Sequence, residues 1–80
     1  MSPGRPDIVE IYLRLPPEDI AYVKYVIESY EGVAVLRTVD RTAAIVVVMI
    51  AADLEHDARG ILQALQHEVA WTEVPPPRDG

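Results

Sequence analysis

The ten residues from Ala43 to Ala52, with the sequence AAIVVVMIAA, constrain the fold more than any other stretch of the chain. The stretch contains no charged residue, no proline and no glycine, and Ile45–Val48 are four consecutive β-branched residues. Side chains of this kind are stiff at χ1 and favour a strand over a helix. Because the apolar residues do not alternate with polar ones, both faces of the strand require cover. An apolar strand at a sheet edge would promote aggregation, so we expect this strand to be central.

Length and composition predict one small globular domain. Eighty residues with 50% hydrophobic residues are enough for one core, near the lower limit of self-sufficient size. The chain has no cysteine, which excludes disulfides and thiolate metal sites. We expect a flexible arm at residues 1–6, a single domain at residues 7–74 and a proline-rich tail at residues 75–80.

The formal charge of -6 disfavours nucleic acid as a partner, because an acidic surface repels phosphate groups. The N-terminus shows no signal peptide, and the longest apolar run is too short to span a bilayer. We therefore expect a cytoplasmic protein that contacts neither nucleic acid nor membrane.

The first half of the domain alternates and then becomes helical. From Asp7 to Leu15, apolar side chains recur at every second position, which predicts a strand with one core face. Pro16 and Pro17 end that strand, and Pro17 also suits the first position of a helix. We expect this helix to run to residue 31 with Gly32 as its left-handed C-cap, and to bury the stripe Ile20, Val23, Ile27 and Tyr30.

The second half repeats this order. Residues 33–39 read as a strand, and a break of three polar residues predicts an antiparallel hairpin with the apolar strand. Asp53 is expected to cap a second helix with Glu55 and Asp57 in its first turn. Gly60 within that helix suggests a close approach to the sheet. The second helix is expected to bury the stripe Leu54, Ala58, Ile61, Leu62 and Leu65. Residues 69–74 are expected to form a last strand.

The order strand, helix, strand, strand, helix, strand predicts an α+β fold: a ferredoxin-like βαββαβ two-layer sandwich. Its four-stranded antiparallel sheet carries both helices on one face and leaves the other face open. The usual strand order places the first and third strands in the centre, in agreement with the apolar character of the third.

The stretches IYLRLPPEDIAYVKYVIESYEG and ILQALQHEV resemble a small family of short bacterial domains of unknown function. The resemblance covers Ile8 to Trp71, and that family is thought to be ACT-like, a ferredoxin-like variant often used as a regulatory module. The resemblance implies the fold and a tendency to pair, and it implies no activity.

ACT domains that bind amino acids typically carry an Asp-x-x-Gly-type turn after the first strand. Here the turn runs from Leu15 to Asp19 without a glycine, so the chain departs from that pattern. Glu18 and Asp19 are the candidate ligand-binding residues of an alternative function, the sensing of a small, amino-acid-type molecule.

Neither a catalytic site nor a metal or cofactor site is predicted. His56 and His67 are about three helical turns, roughly 16 Å, apart, so they cannot bind one metal within a chain. No nucleophile lies beside either histidine. The chain also lacks the Cys-x-x-Cys motif of metal chaperones and the asparagine of acylphosphatases. We expect a protein that is not an enzyme and has no cofactor.

Self-association is the main functional expectation. One face of the apolar strand packs under the helices, which leaves aliphatic side chains on the open face. A patch of several hundred Å² is larger than monomers normally expose, and a second copy or another protein is the simplest cover. One of the helical tyrosines Tyr22 and Tyr25 is also expected to be exposed or to meet a partner. The predicted interface consists of Ile8, Tyr12, Val46, Val48 and Ile50.

Overall fold

The computed structural model describes residues 7–30 and 32–77. The predicted arm at residues 1–6, the last three residues of the predicted tail and residue 31 lie outside this part. The strands are β1 (Ile8–Arg14), β2 (Ala34–Asp40), β3 (Ile45–Ala51) and β4 (Thr72–Val74), and the helices are α1 (Ile20–Ser29) and α2 (Glu55–Leu65). A short 3-10 turn precedes each helix, at Pro17–Asp19 and at Ala52–Leu54.

The four strands form one sheet in the order β2-β3-β1-β4, and every neighbouring pair is antiparallel. This confirms the predicted α+β fold with its ferredoxin-like strand order. The apolar strand β3 lies between β1 and β2, as its composition requires.

The core lies between the sheet and the two helices. Ile11 and Leu13 of β1, Leu36 of β2, and Val46, Val48 and Ile50 of β3 form its sheet side. Val23 and Ile27 of α1 and Ala58, Leu62 and Leu65 of α2 form its helical side. Among the described residues, no helix lies over the other face of the sheet. These buried residues recur at every second position in the strands and about every 3.6 positions in the helices, as the apolar pattern of the sequence predicts.

Helix α1 is shorter than predicted. It ends at Ser29 with Tyr30 as its C-cap residue, so Gly32 is not the predicted cap, although its φ of 79° is left-handed as expected. Tyr30 lies beyond the helix and is 48% exposed, so its predicted place in the buried stripe is wrong. The stripe closes at Ile27 because the helix ends at Ser29, two residues before its predicted end.

Helix α2 confirms its predicted stripe and corrects two details. Its N-cap residue is Leu54, and no side chain caps the helix; Asp53 lies in the preceding 3-10 turn, so it is not the predicted cap. Gly60 is exposed, and a Cβ atom built on it would have nothing within 4 Å. The suggestion that Gly60 allows a close approach to the sheet is therefore wrong.

The last strand is short, and Trp71 anchors the segment before it. β4 spans three residues, fewer than the six predicted. Trp71 is partly buried against the core, and its indole Nε1 donates a hydrogen bond of 2.8 Å to the carbonyl oxygen of Leu62. This bond ties the chain that enters β4 to the last turns of α2.

Candidate functional site

The strand register decides which side chains of β3 face the helices. Val46, Val48 and Ile50 are each 0% exposed and belong to the core cluster under the helices. Because successive side chains of a strand point to opposite faces, Ile45, Val47 and Met49 lie on the open face. The prediction of Val46, Val48 and Ile50 as interface residues is therefore wrong, since all three are buried within the chain.

Ile8 and Tyr12 do lie on the open face, as predicted. Ile8 is opposite Ala51, and Tyr12 is opposite Val47. Tyr12 is half-buried, and its hydroxyl donates a hydrogen bond of 3.1 Å to the Glu10 carboxylate. The correction thus concerns β3 alone, where both faces are apolar and the pattern could not choose between them.

Strand β2 contributes its own half of the open face. Val35 is opposite Met49 and Arg37 is opposite Val47, and Val35 is 49% exposed. Of the other two valines in this part of the chain, Val33 packs against the core. Val39 lies at a bulge between Thr38 and Asp40, which interrupts the alternation.

A shallow apolar groove of about 460 Å³ crosses one end of this face. Its lining is mainly aliphatic, and Ile8, the most exposed of these apolar side chains at 56%, stands at its edge. Of the described residues that line it, one is cationic, Arg37. These lining residues are Ile8, Gly32, Val33, Ala34, Val35, Arg37, Met49 and Ala51.

Charged side chains interrupt the apolar surface at defined positions. Glu10 lies between Ile8 and Tyr12 on β1. Arg14 lies two residues after Tyr12 and is opposite Ile45. Within residues 7–30 and 32–77, neither Arg14 nor Arg37 forms an ion pair. The face therefore carries charged side chains of both signs, Glu10 as well as Arg14 and Arg37, beside exposed aliphatic groups.

The edge of β2 is occupied by a side chain of α1. The Glu28 carboxylate accepts a hydrogen bond of 3.4 Å from the backbone N–H of Leu36 and pairs with the Lys24 ammonium at 3.0 Å. The bond to Lys24, and then the bond to the Leu36 amide, hold the pKa of Glu28 below its ordinary value. An edge amide that already has an acceptor cannot readily join a strand of another chain.

The β4 edge of the sheet has few backbone N–H groups that could pair with another strand. The strand has three residues and is followed by Pro75, Pro76 and Pro77, which have no N–H to donate. The β4 edge thus offers few N–H donors to a partner strand, and on the β2 edge the Leu36 amide is already engaged.

The turn proposed for ligand binding does not assemble a site. Glu18 and Asp19 lie in the 3-10 turn before α1, and the backbone N–H of Asp19 donates to the carbonyl of Pro16 at 2.9 Å. A groove of about 390 Å³ adjoins this turn, and neither acidic residue lines it. The structure therefore does not bring these two carboxylates together around a cavity.

The histidines and tyrosines lie on the surface. His56 and His67 are exposed, and the described residues contain no group of three or more His, Asp or Glu side chains that could hold a metal. Tyr25 is 73% exposed, which fits the expectation for one of the two helical tyrosines. The Tyr22 hydroxyl donates a hydrogen bond to the Glu68 carboxylate, and this bond raises the pKa of Tyr22.

Three residues important to the open face were missing from the predicted interface: Val35, Arg37 and Met49. The signal for the first two was present, because β2 alternates and its hairpin partner β3 sets their side. Within the described part of the chain, no helix is long and apolar enough to cross a membrane.

Comparison with known proteins identifies the family. The chain matches the model of a domain of unknown function, DUF4911, over residues 13–69. No curated protein and no solved structure matches it. The match begins within β1, includes both helices and ends before β4, so it covers most of the fold described above. The chain therefore belongs to the DUF4911 family, whose function is unknown.

Proposed function

We propose that this domain is a non-catalytic, ACT-like interaction or regulatory module of the cytoplasm that self-associates through the open face of its sheet. The observation that carries the proposal is the mainly apolar, exposed groove at one end of that face. Ile8 and Val35, each about half exposed, adjoin Met49 and Ala51 in one groove. Apolar patches of this kind mark interaction surfaces, and a second copy related by a two-fold axis is the simplest cover.

The edges of the sheet support the face as the pairing surface. ACT-type association can also run edge to edge, which needs free N–H and C=O groups along an outer strand. On the β2 edge the Glu28 carboxylate occupies the Leu36 amide. On the other edge, β4 is short and is followed by prolines. In the part of the chain that the structure describes, no helix covers the open face.

The size of the face sets the expected strength of association. Four strands about 4.8 Å apart and seven residues of about 3.3 Å rise give a face of roughly 19 by 23 Å, or roughly 400 Å². A standard stable interface buries about 800 Å² per partner. We therefore expect a dimer that dissociates on dilution, in contrast to an obligate one.

Sedimentation velocity and light scattering across a dilution series test the proposal. We expect a dimer at high micromolar concentration and a monomer at low concentration. Val35→Asp should keep the protein folded, since the side chain is exposed, and should abolish the dimer by placing a charge in the interface. Tyr25→Asp is the matched control, because Tyr25 is exposed on α1, away from the open face. A compact wild-type monomer at high concentration, with well-dispersed amide signals, would contradict the proposal.

The alternative function is the sensing of a small, amino-acid-type molecule at Glu18 and Asp19. A thermal-shift screen with amino acids and nucleotides separates the two. A ligand that raises the melting temperature by several degrees, with the effect lost in Glu18→Gln or Asp19→Asn, would favour sensing.

A further inference from the structure

Six residues at the centre of the open face, two on each of β1, β3 and β2, form a rectangle. Its four corners alternate between charged and apolar side chains. The register places Glu10 opposite Met49 and Tyr12 opposite Val47. On the other side of β3, Val35 is opposite Met49 and Arg37 is opposite Val47. The two charged corners, Glu10 and Arg37, therefore lie on one diagonal. The apolar corners Val35 and Tyr12 lie on the other.

We propose that two copies of the chain pair face to face about a two-fold axis over β3, with Glu10 of each copy bound to Arg37 of the other. The inference rests on the proposed self-association and specifies its orientation. Because Glu10 and Arg37 have opposite charges, a two-fold operation that exchanges them creates two equivalent ion pairs. Isologous interfaces require this kind of self-complementarity.

The dimensions of the rectangle place the axis. Two strand spacings give one side of about 9.6 Å, and two residues along a strand give the other side of about 6.7 Å. The centre falls between Met49 and Val47 on β3. The two-fold axis lies between the two sheets and parallel to them. To exchange the charged corners, it must pass over this centre and run close to the Val35–Tyr12 diagonal. Each apolar corner then meets the same region of the other copy, and the half-buried Met49 lies near the middle.

The charges of the isolated chain also fit this pairing. Arg37 has no ion pair among the residues that the structure describes, although it lies beside an apolar groove. Glu10 accepts one hydrogen bond, from Tyr12, and a carboxylate can accept several. An arginine fork and a carboxylate form the geometrically most specific pair available to side chains.

A competing axis over Tyr12 would pair Glu10 with Arg14 instead. These residues lie on the same strand, two positions to either side of Tyr12. That axis would also place Val35 against Asp40, since both lie on β2 at corresponding distances from Arg37 in the register with β3. An apolar side chain would then face a carboxylate, so the axis over β3 is favoured.

Charge exchange tests the pairing. The single variants Glu10→Arg and Arg37→Glu each create like-charged contacts in the proposed homodimer, and each should raise the dimer dissociation constant about tenfold or more. An equimolar mixture of the two should form a heterodimer near wild-type affinity, because both contacts become opposite in charge. The double variant Glu10→Arg/Arg37→Glu should dimerise again by itself.

Arg14→Glu is the control, with the same charge change on the same face but outside the rectangle, and it should alter the dissociation constant much less than Arg37→Glu. If wild type dimerises but Arg37→Glu does so equally well, the pairing is wrong and self-association stands. The pairing is also wrong if the mixture fails to recover, or if Arg14→Glu weakens the dimer as much as Arg37→Glu. A wild-type chain that remains monomeric overturns both proposals.

Discussion

Truncating one valine on each face of the sheet measures which face is the core. Val48 is 0% exposed at the centre of β3, and Val35 is 49% exposed on the neighbouring strand. Val48 is opposite Leu36 in the register, and Val35 is opposite Met49. The variants Val48→Ala and Val35→Ala therefore make the same chemical change on opposite faces of the same pair of strands.

The expected magnitudes differ because only one site is enclosed. Removing two buried carbon groups costs about 0.8 kcal/mol each, and the cavity left in a packed core brings the total for Val48→Ala to about 2–3 kcal/mol. Val35 is half buried and leaves no cavity, so Val35→Ala should cost less than about 1 kcal/mol. A domain of this size is stable by about 4–12 kcal/mol, so Val48→Ala removes a large fraction of the total.

Urea unfolding followed by circular dichroism is the assay. With a slope of about 1 kcal/mol per molar urea, Val48→Ala should lower the midpoint by about 2 M or more, and Val35→Ala by less than about 1 M. Measurements belong at low protein concentration, where the proposed dimer should be dissociated. At high concentration the effect of Val35→Ala should grow, because the proposed dimerisation would stabilise the folded state. Equal shifts at low concentration, or a larger shift for Val35→Ala, would refute the assignment of the faces.

Three further predictions follow from single contacts. Folding lowers the pKa of Glu28, so the ionised carboxylate stabilises the fold at pH values above the ordinary pKa of glutamate. This stabilisation is lost as the pH falls through the pKa of the folded state. Glu28→Gln should therefore lower the urea midpoint at neutral pH and leave it unchanged in strong acid. Gly60→Ala should raise stability by about 0.5–1 kcal/mol, whereas Gly32→Ala should lower it by about 1 kcal/mol because of its positive φ, as thermal unfolding would show. Trp71→Phe keeps most of the apolar area and loses the bond to Leu62, so it should cost about 1 kcal/mol by urea unfolding, and a change below measurement error would contradict this.

The order of the elements could be predicted from local chemistry. Alternation identified β1 and β2, the β-branched run identified β3, and the period of 3.6 identified both helices. Pro16 and Gly32 marked two of the boundaries, because proline and glycine restrict or extend the backbone conformations available at one position. With right-handed connections, these elements leave few arrangements, so the strand order followed.

The details that failed were those that depend on where the chain goes next. Tyr30 fits the helical period, but α1 ends at Ser29, and Asp53 has the chemistry of a cap, but a 3-10 turn separates it from α2. Both details concern helix ends, which fray and whose boundaries vary by about one or two residues. The hydrogen bond from Leu36 to Glu28 joins residues of different elements, and no local pattern indicates it.

The sequence by itself determined that β3 is central and that one of its faces is covered by helices, because an uncharged run of β-branched residues cannot lie at an edge. It could not determine which face, since Val46, Val48 and Ile50 are as apolar as Ile45, Val47 and Met49. Only the tertiary structure made that choice, through the direction in which the crossovers carry both helices over the sheet. The same choice brings Val35, Arg37 and Glu10 onto one surface, and with it the candidate site.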